Sequence, residues 1–270
     1  MLNRLKIIYL ICGVVLLLVT SCDKIEYNSN QKFDRNSPRN TNSINLQKLS
    51  QSQGDNVVRF ILLGDTQRGY GESEDFVKKA NTMQGIDFVV IAGDISDFGL
   101  LQEMEWIVRI FNGLKMPYLG VIGNHDLTAN GKEVFQKVFG ELDYSFVYQG
   151  VKFICLNTNG REVNFDGSVP DINWLNKEVK SQAGVSNIVA ISHITPNSTD
   201  FDKKLELPFV AALESSGNCV ASLHAHDHTP GYYTPYANGI PFIVTGTILK
   251  RTFTIITITN GVVGAERVLY

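Results

Sequence analysis

The sequence contains few cysteines and few histidines, and it lacks long runs of basic residues. With four Cys in 270 residues, a scaffold held together by disulfides is not expected, and a chain of this length can bury enough surface to fold without them. The formal net charge is -3, so the basic footprint of nonspecific nucleic-acid binding is missing, and no specific nucleic-acid partner is predicted. No internal repeat is found.

The single long hydrophobic run predicts a secretion signal followed by a lipid anchor. Arg4 and Lys6 precede IIYLICGVVLLLV, which at roughly 13 residues is short for a membrane span and suits a signal-peptide core. The segment that follows, Val19-Thr20-Ser21-Cys22, resembles the lipobox of bacterial lipoproteins. The alternative is a plain signal peptide or a short anchor. We expect a signal peptide over residues 1–21, a lipidated Cys22, and a place in the bacterial cell envelope, on the periplasmic or cell-surface side.

The composition changes twice after the leader. Between residues 22 and 56, Asn, Ser and Gln dominate and apolar residues are sparse, which predicts a flexible tether. Residues 57–270 then form the folded domain. Its two cysteines, Cys155 and Cys219, each lie in an apolar run typical of a strand, and we expect two separate thiols that behave as small hydrophobic residues.

Apolar runs and helix-like stretches alternate through this domain. VVRFILLGD, DFVVIAGD and PYLGVIGNHD predict strands, and helices are predicted between them, one with Ser73 as its N-cap and one ending near Gly113. A hairpin is predicted around Gln149-Gly150, a helix from Asp171, and antiparallel strands at the C-terminus. Alternation of this kind indicates an α/β fold whose sheets are covered on their faces.

The polar side chains that bear on function lie where the predicted strands end. In open α/β sheets, ligands bind outside the carboxyl ends of the strands. Five successive ends carry potential metal ligands, and all five histidines of the chain are among them: Asp65, Asp94, Asn124 with His125, His193, and the histidines of LHAHDH. One such residue is usually a turn or cap residue, but five coincident ends indicate a site.

This mixture of ligands predicts two metal ions. Carboxylates, imidazoles and an amide suit manganese, iron or zinc, whereas calcium and magnesium prefer oxygen ligands. About seven ligands exceed the needs of one ion, and a carboxylate is the natural bridge between two. A pair of ions about 3.5–4 Å apart can stabilise both the attacking and the leaving oxygen of a displacement at phosphorus.

The ordered blocks GDTQ, GDISD, GNHD, SHITP and AHDH resemble the calcineurin-like metallophosphoesterases. That family is characterised by D-x-H, G-D-x-x-D, G-N-H-D/E, a separate His and G-H-x-H. The resemblance covers about residues 57–253. It implies an α/β fold of the two-sheet α/β/β/α sandwich type, with a dimetal site at the strand ends.

The resemblance also implies a role for each matching residue. Asp65 would bind the first ion, and Asp94 would bridge both. Asn124, through its amide oxygen, and His193 would bind the second ion.

Three other matched residues would act without touching a metal. His125 would stabilise the transition state and protonate the leaving alkoxide. Asp126 would orient His125, or it would serve as a turn cap. Asp97 is expected to support the loop.

The sequence departs from the family pattern at Gln67, where most members have His. An amide binds a metal only through its carbonyl oxygen and is a weaker ligand than imidazole, so the first ion would be held less tightly or would be a harder metal. Some relatives carry the D-x-Q pattern, so Gln67 is retained as a predicted ligand.

The last block has two possible registers. His224 and His226 form the ligand pair in one register, and His226 and His228 form it in the other. We favour the second, because it places the small Ala225 where the family has a Gly. His226 would then bind the second ion and His228 the first.

These observations predict a metal-dependent phosphoesterase that hydrolyses a phosphomonoester or a phosphodiester by attack of a hydroxide bridging the two ions. Arg68 and Arg161 are candidates for pairing with a substrate phosphate. Tyr232, Tyr233 and Tyr236 could stack on a base or sugar, although ordinary loop packing is preferred. Short connections predict an open site without a cap domain. The alternative is a catalytically weak or inactive binding lipoprotein of the same fold.

Overall fold

The computed structural model describes residues 32–52, 54 and 56–270. The predicted signal peptide, Cys22 and the start of the predicted tether lie outside these residues. Within the described part of the chain, no helix is both long and apolar enough to span a bilayer.

Eleven strands and six α-helices are found in the described ranges. The strands are β1 (Val57–Leu63), β2 (Phe88–Ala92), β3 (Tyr118–Val121), β4 (Tyr144–Tyr148), β5 (Val151–Cys155), β6 (Asn187–Ile191), β7 (Cys219–His224), β8 (Gly231–Tyr233), β9 (Phe242–Val244), β10 (Thr252–Thr259) and β11 (Val262–Leu269). The helices are α1 (Thr41–Leu49), α2 (Tyr70–Ala80), α3 (Leu101–Phe111), α4 (Gly131–Val138), α5 (Ile172–Glu178) and α6 (Lys203–Ser215).

The strands form two sheets. The first has the order β11-β10-β1-β2-β3, in which β1, β2 and β3 are parallel and β10 is antiparallel to both of its neighbours. The second has the order β4-β5-β6-β7-β9-β8, in which β5, β6, β7 and β9 are parallel. The carboxyl ends of the parallel strands therefore gather at one edge of each sheet.

The two sheets pack face to face, and helices cover their outer faces. Phe60 stacks on Phe88 with ring centroids 4.8 Å apart, and both rings meet the edge of Phe153 of the second sheet. On β1 the next residues, Ile61 and Leu63, point the other way, into the layer shared with α2, α3 and α4, as the two-residue period of a strand requires. Helices α5 and α6 cover the second sheet. The predicted α/β/β/α sandwich is confirmed.

Most of the predicted elements are present, with two differences. The hairpin turns at Gln149-Gly150, both with positive φ, and Asp171 caps α5 by accepting a hydrogen bond from Trp174 N. The prediction of Ser73 as an N-cap is wrong, since α2 begins at Tyr70 after Gly69. The C-terminal strands pair antiparallel with one another, but β9 also lies parallel to β7 on its other side.

The two cysteines of the domain are separate, as predicted. Cys155 is fully buried and Cys219 is partly buried, and both are free thiols. Burial raises the pKa of each thiol to about 12, so both stay protonated at neutral pH.

The prediction of a flexible tether over residues 22–56 is wrong for Thr41–Leu49, because these residues form α1, which packs against the domain. The amide of Asn42 donates to Gly120 O at 2.9 Å and accepts from Gly120 N at 2.8 Å. Asn45 Oδ1 accepts from Tyr118 N. Since β3 is the edge strand of the first sheet, these asparagines satisfy backbone groups that an open edge would expose. The polar composition of this segment therefore reflects pairing with an edge strand.

We expect Asn42→Ala to lower the free energy of unfolding by about 2–3 kcal/mol. The substitution leaves the N–H and the C=O of Gly120 without partners, and an unpaired buried polar group costs about 1–3 kcal/mol. Urea unfolding measures the change. Gln47→Ala on the exposed face of α1 is the matched control, and an equal loss in both variants would contradict the edge-pairing role of Asn42.

Candidate metal centre

The turns that follow β1 and β2 have an unusual backbone. Asp65 has φ 56° and Asp94 has φ 54°, a left-handed conformation that Asp tolerates better than most residues. Gly93 precedes Asp94 with φ 94°, and a Cβ at Gly93 would lie 2.4 Å from the ring of His193. A Cβ at Gly123 would lie 2.0 Å from Asp94 N. The glycines of GD and GN therefore let three strand ends approach one another.

Asp94 lies at the centre of this cluster. Its Oδ1 accepts a hydrogen bond from His125 N at 3.0 Å. Its Oδ2 lies 3.3 Å from His193 Nε2 and accepts from Gln67 Nε2 at 3.3 Å. Only 2% of Asp94 is exposed. One buried carboxylate thus contacts groups from three different strand ends.

Within the described residues, Asp65 and Gln67 present buried oxygens that accept no hydrogen bond. This holds for both carboxylate oxygens of Asp65, although His228 Nε2 lies 3.2 Å from Oδ1 as an ion-pair partner. It also holds for Gln67 Oε1. Buried polar atoms without partners are rare and need an explanation, and oxygens of this kind are suitable ligands for a cation.

His193 connects the two sheets. It follows β6 of the second sheet, yet its Nδ1 donates to Ala92 O of β2 at 2.7 Å. Its Nε2 therefore faces the cluster, 3.1 Å from Asn124 Oδ1. The carbonyl partner fixes which nitrogen is available to a ligand, as in many metal sites.

The structure separates the three histidines of LHAHDH. His224 is fully buried, its nitrogens lie 3.1 Å from Ser192 Oγ and 2.9 Å from Ser222 Oγ, and its ring stacks on Phe242. Both ring nitrogens are thereby occupied. His226 and His228 instead turn through positive φ, at 69° and 54°, toward the cluster. The structure thus brings together the pair of the second register.

Ala225 shows why this register fits the backbone. A Cβ at Gly64 would lie 2.5 Å from the Cβ of Ala225, and Ala225 is fully buried. At this point the first sheet and the second sheet are in contact, so a larger side chain has no room. The small residue is required by the meeting of the sheets.

The charges in the cluster favour a cation. Burial opposes a charged His193, but the carboxylates of Asp94 and Asp65 outweigh burial and raise the pKa of His193 to about 9. Burial likewise opposes ionised Asp94, yet His193 and His125 hold the pKa of Asp94 below its usual value. The largest effect on His228 is its contact with Asp65, which raises the pKa of His228. A site that stabilises imidazolium by these carboxylates will also stabilise a metal cation.

The residues brought together fit divalent metal ions. One nitrogen or oxygen each from Asp94, His193 and His226 lies within 4.8 Å of the others. The unpaired oxygens of Asp65 and Gln67, with His228 beside them, extend this group on one side, and Asn124 extends it on the other. All seven sequence-predicted ligand residues belong to this connected cluster, and the mixture of oxygen and nitrogen donors suits first-row divalent ions.

His125 is placed by Asp97. Its Nδ1 lies 2.8 Å from the carbonyl oxygen of Asp97 and 3.4 Å from Asp97 Oδ1, which leaves Nε2 for a substrate. The side chain of His125 is 42% exposed. Arg68 Nε also donates to Asp97 Oδ2 in an ion pair. The loop therefore holds Arg68, which was predicted to bind a substrate phosphate.

The prediction that Asp126 orients His125 is corrected. Asp126 is fully buried, and its oxygens accept hydrogen bonds from Ile95 N, Ser96 N, Ser96 Oγ and Gly123 N. Burial, with Asp94 nearby, raises the pKa of Asp126 to about 6. Asp126 links the turns that follow β2 and β3 through these hydrogen bonds, which agrees with the alternative prediction that Asp126 is a turn cap.

Tyr236 and Arg161 have partners within the protein. Tyr236 OH donates to Glu206 at 2.8 Å, whereas Tyr232 is 59% exposed. Arg161 pairs with Asp200 at 3.0 Å, and Asp200 contacts His226. The sequence did not reveal Asp200, because Asp200 lies in the loop between β6 and α6, nine residues after Ile191 ends the strand, and no motif marks it.

A profile of the family described as calcineurin-like phosphoesterase matches residues 58–230. The chain belongs to this family. The match includes every residue of the cluster and both sheets except their C-terminal strands.

Two curated relatives are phosphodiesterases by name. A 3′,5′-cyclic-nucleotide phosphodiesterase of Nostoc is 23% identical over 152 residues, which is 53% of this chain and 57% of the relative. A probable cyclic nucleotide phosphodiesterase of Xenorhabdus bovienii is 28% identical over 54 residues, 20% of this chain and 22% of that protein. The matched part of the chain thus spans just over half of one relative and about a fifth of the other.

Solved structures share the fold. A dimetal phosphatase from Danio rerio superposes with a TM-score of 0.64 at 14% identity, covering 80% of this chain and 100% of that one. A purple acid phosphatase from yellow lupin seeds superposes with a TM-score of 0.62 at 12% identity, over 80% of this chain and 52% of that one. At these identities the likeness concerns the fold.

We expect Asp126→Ala to destabilise the domain by on the order of 3 kcal/mol or more. It would leave four buried donors without their acceptor, each costing about 1–3 kcal/mol unless water replaces it. Urea unfolding measures the loss. Asp171→Ala, which removes an exposed helix cap, is the control and is expected to cost about 1 kcal/mol. An Asp126→Ala variant as stable as the wild type would contradict the role of Asp126 in holding the turns, and would favour the original prediction that Asp126 orients His125.

The two registers predict different metal contents. His228→Ala is expected to remove or weaken one of two bound ions, whereas His224→Gln is expected to keep both and to lose stability. The ring of His224 contacts two serine hydroxyls and Phe242, so its loss affects packing. Metal analysis by mass spectrometry after gel filtration decides between them, and loss of an ion in His224→Gln would support the first register.

Proposed function

We propose that this chain hydrolyses phosphoester bonds with two divalent metal ions as cofactors. The observation that carries the proposal is a set of buried oxygens on Asp65 and Gln67 that accept no hydrogen bond from the described residues. They lie beside the carboxylate of Asp94, which contacts groups from three strand ends. If these groups served only the stability of the fold, we would expect them to be hydrogen-bonded, since an unpaired buried polar group costs about 1–3 kcal/mol.

The ligands divide into two groups around Asp94. Asp65, Gln67 and His228 would hold the first ion, and Asn124, His193 and His226 would hold the second, with Asp94 between them. When bound, such a pair of ions neutralises charge on the phosphoryl oxygens and lowers the pKa of water. The ligand chemistry favours manganese, iron or zinc.

The protein groups then orient the ester and supply a proton. His125 Nδ1 is held by Asp97 O, so His125 Nε2 is directed away from the loop and is available to the leaving oxygen. Protonation of that oxygen by Nε2 avoids release of an alkoxide. Because His125 and the side chain of His228 are both nearly half exposed, an ester with a bulky leaving group can reach them.

A phosphodiester is the first substrate class to test. The two curated relatives are cyclic-nucleotide phosphodiesterases by name, and an open site admits two ester groups.

A second part of the proposal concerns location. The apolar run that ends in Val19-Thr20-Ser21-Cys22 supports a lipidated Cys22 that tethers the enzyme to the bacterial envelope, on the periplasmic or cell-surface side.

The first experiment uses the full chain in mild detergent, purified without chelator. We expect about two ions per chain by mass spectrometry and manganese-dependent turnover of bis(para-nitrophenyl) phosphate, with para-nitrophenyl phosphate and 3′,5′-cyclic AMP as comparison substrates. Removal of metal by chelation should abolish turnover, and added manganese should restore it. A wild-type chain with no bound ion and no turnover in excess manganese would support the binding lipoprotein instead.

His125→Ala separates catalysis from metal binding. We expect turnover to fall about 10²–10⁴-fold, the usual contribution of general acid catalysis, while both ions remain bound. The loss should be larger for 3′,5′-cyclic AMP than for the para-nitrophenyl ester, because para-nitrophenolate leaves without protonation. Equal losses for both substrates would contradict the acid role of His125.

A further inference from the structure

Three residues, His226, Asp200 and Arg161, are linked by consecutive hydrogen bonds that lead outward from the proposed ligands of the second ion. His226 Nε2 lies 3.0 Å from Asp200 Oδ2, and Asp200 Oδ1 accepts from Arg161 at 3.0 Å. The three residues come from different connections: Arg161 follows β5, Asp200 lies between β6 and α6, and His226 follows β7. Asp200 is held further by its own backbone N–H, which donates to Ser198 Oγ.

The contact with Asp200 indicates which nitrogen of His226 carries a proton. An ionised carboxylate only accepts hydrogen bonds, so the Asp200 contact requires a proton on Nε2. In the neutral imidazole the lone pair is then on Nδ1. The ring lies 5.1 Å from His193, centroid to centroid, and offers a ligand atom to the group of Asp94 and His193.

We propose that Asp200, held by Arg161, is a positioning residue that fixes the tautomer and ring orientation of His226, so that Nδ1 is the ligand atom. The proposal rests on the proposed function and adds to it a residue outside the family motifs. Partners of this kind orient metal-binding histidines and raise their basicity, and their loss typically costs 10–100-fold in metal affinity.

The competing explanation is a surface ion pair that only stabilises the loop. Arg161 is 64% exposed and Asp200 is 25% exposed, and such pairs contribute about 0–1 kcal/mol. Asp75 offers a matched control, since it also pairs with an arginine, Arg251, at 2.9 Å, but it contacts no histidine in the described structure.

Two measurements on the full chain in detergent test the proposal. Long-range proton–nitrogen NMR on chelator-treated protein reads the tautomer of His226 without any metal, and we expect Nε2–H in the wild type and loss of that preference in Asp200→Ala. Calorimetric titration with Mn²⁺ should show one of two ions weakened about 10–100-fold in Asp200→Ala and unchanged in Asp75→Ala. Asp200→Glu, which keeps a carboxylate, should recover most of the affinity.

The outcomes separate this proposal from the proposed function. Wild-type protein that binds no Mn²⁺ would overturn the proposed function. Wild-type protein that binds two ions, with Asp200→Ala equal to it in affinity and in the tautomer of His226, would overturn the role of Asp200 alone. A tautomer change with unchanged affinity would also overturn it, since the contact would then order the ring without serving the metal.

Discussion

Burial of two carboxylates at the junction of two sheets is the constraint on which the structure depends. Asp65 and Asp94 are 0% and 2% exposed, and removing a charge from water costs several kcal/mol unless a cation or good hydrogen bonds compensate. His193 reaches them from the other sheet and is itself tied to Ala92 of the first. The site therefore forms only when the two sheets pack together. Gly93 is required because the ring of His193 occupies the space that a side chain at residue 93 would need.

Three further carboxylates surround this junction, and their neighbours give them different tasks. Asp126 accepts only donors from the turns and holds two strand ends together. Asp97 presents its carbonyl to His125 and its side chain to Arg68, so it orients a group beside the metal centre. Asp200 contacts His226 from the solvent side. All three side chains are carboxylates. Their positions alone decide whether they hold the backbone turns together or orient a histidine.

The N-terminal part of the domain shows a limit of composition as a guide. Residues 32–52 are rich in polar side chains, a composition typical of disordered segments, yet Asn42 makes two hydrogen bonds to Gly120. A primary amide carries one donor and one acceptor in nearly the geometry of a peptide group, so it can complete a strand edge. Whether an asparagine meets water or an open edge depends on the fold, and no local pattern reveals it.

The sequence by itself determined the alternation of strands and helices, an α/β fold, and the polar residues that end each strand, because periodicity and turn chemistry are local. The sandwich and the preference for the pair His226 and His228 came from the resemblance to a family, which has a Gly where this sequence has the small Ala225. Tertiary structure decided the rest. In the folded protein His224 is buried between two serines and Phe242, and Asp126 accepts hydrogen bonds from turn residues and does not orient His125. Asp200, from a loop without a motif, contacts His226. These outcomes depend on contacts between residues distant in sequence, which spacing along the chain does not encode.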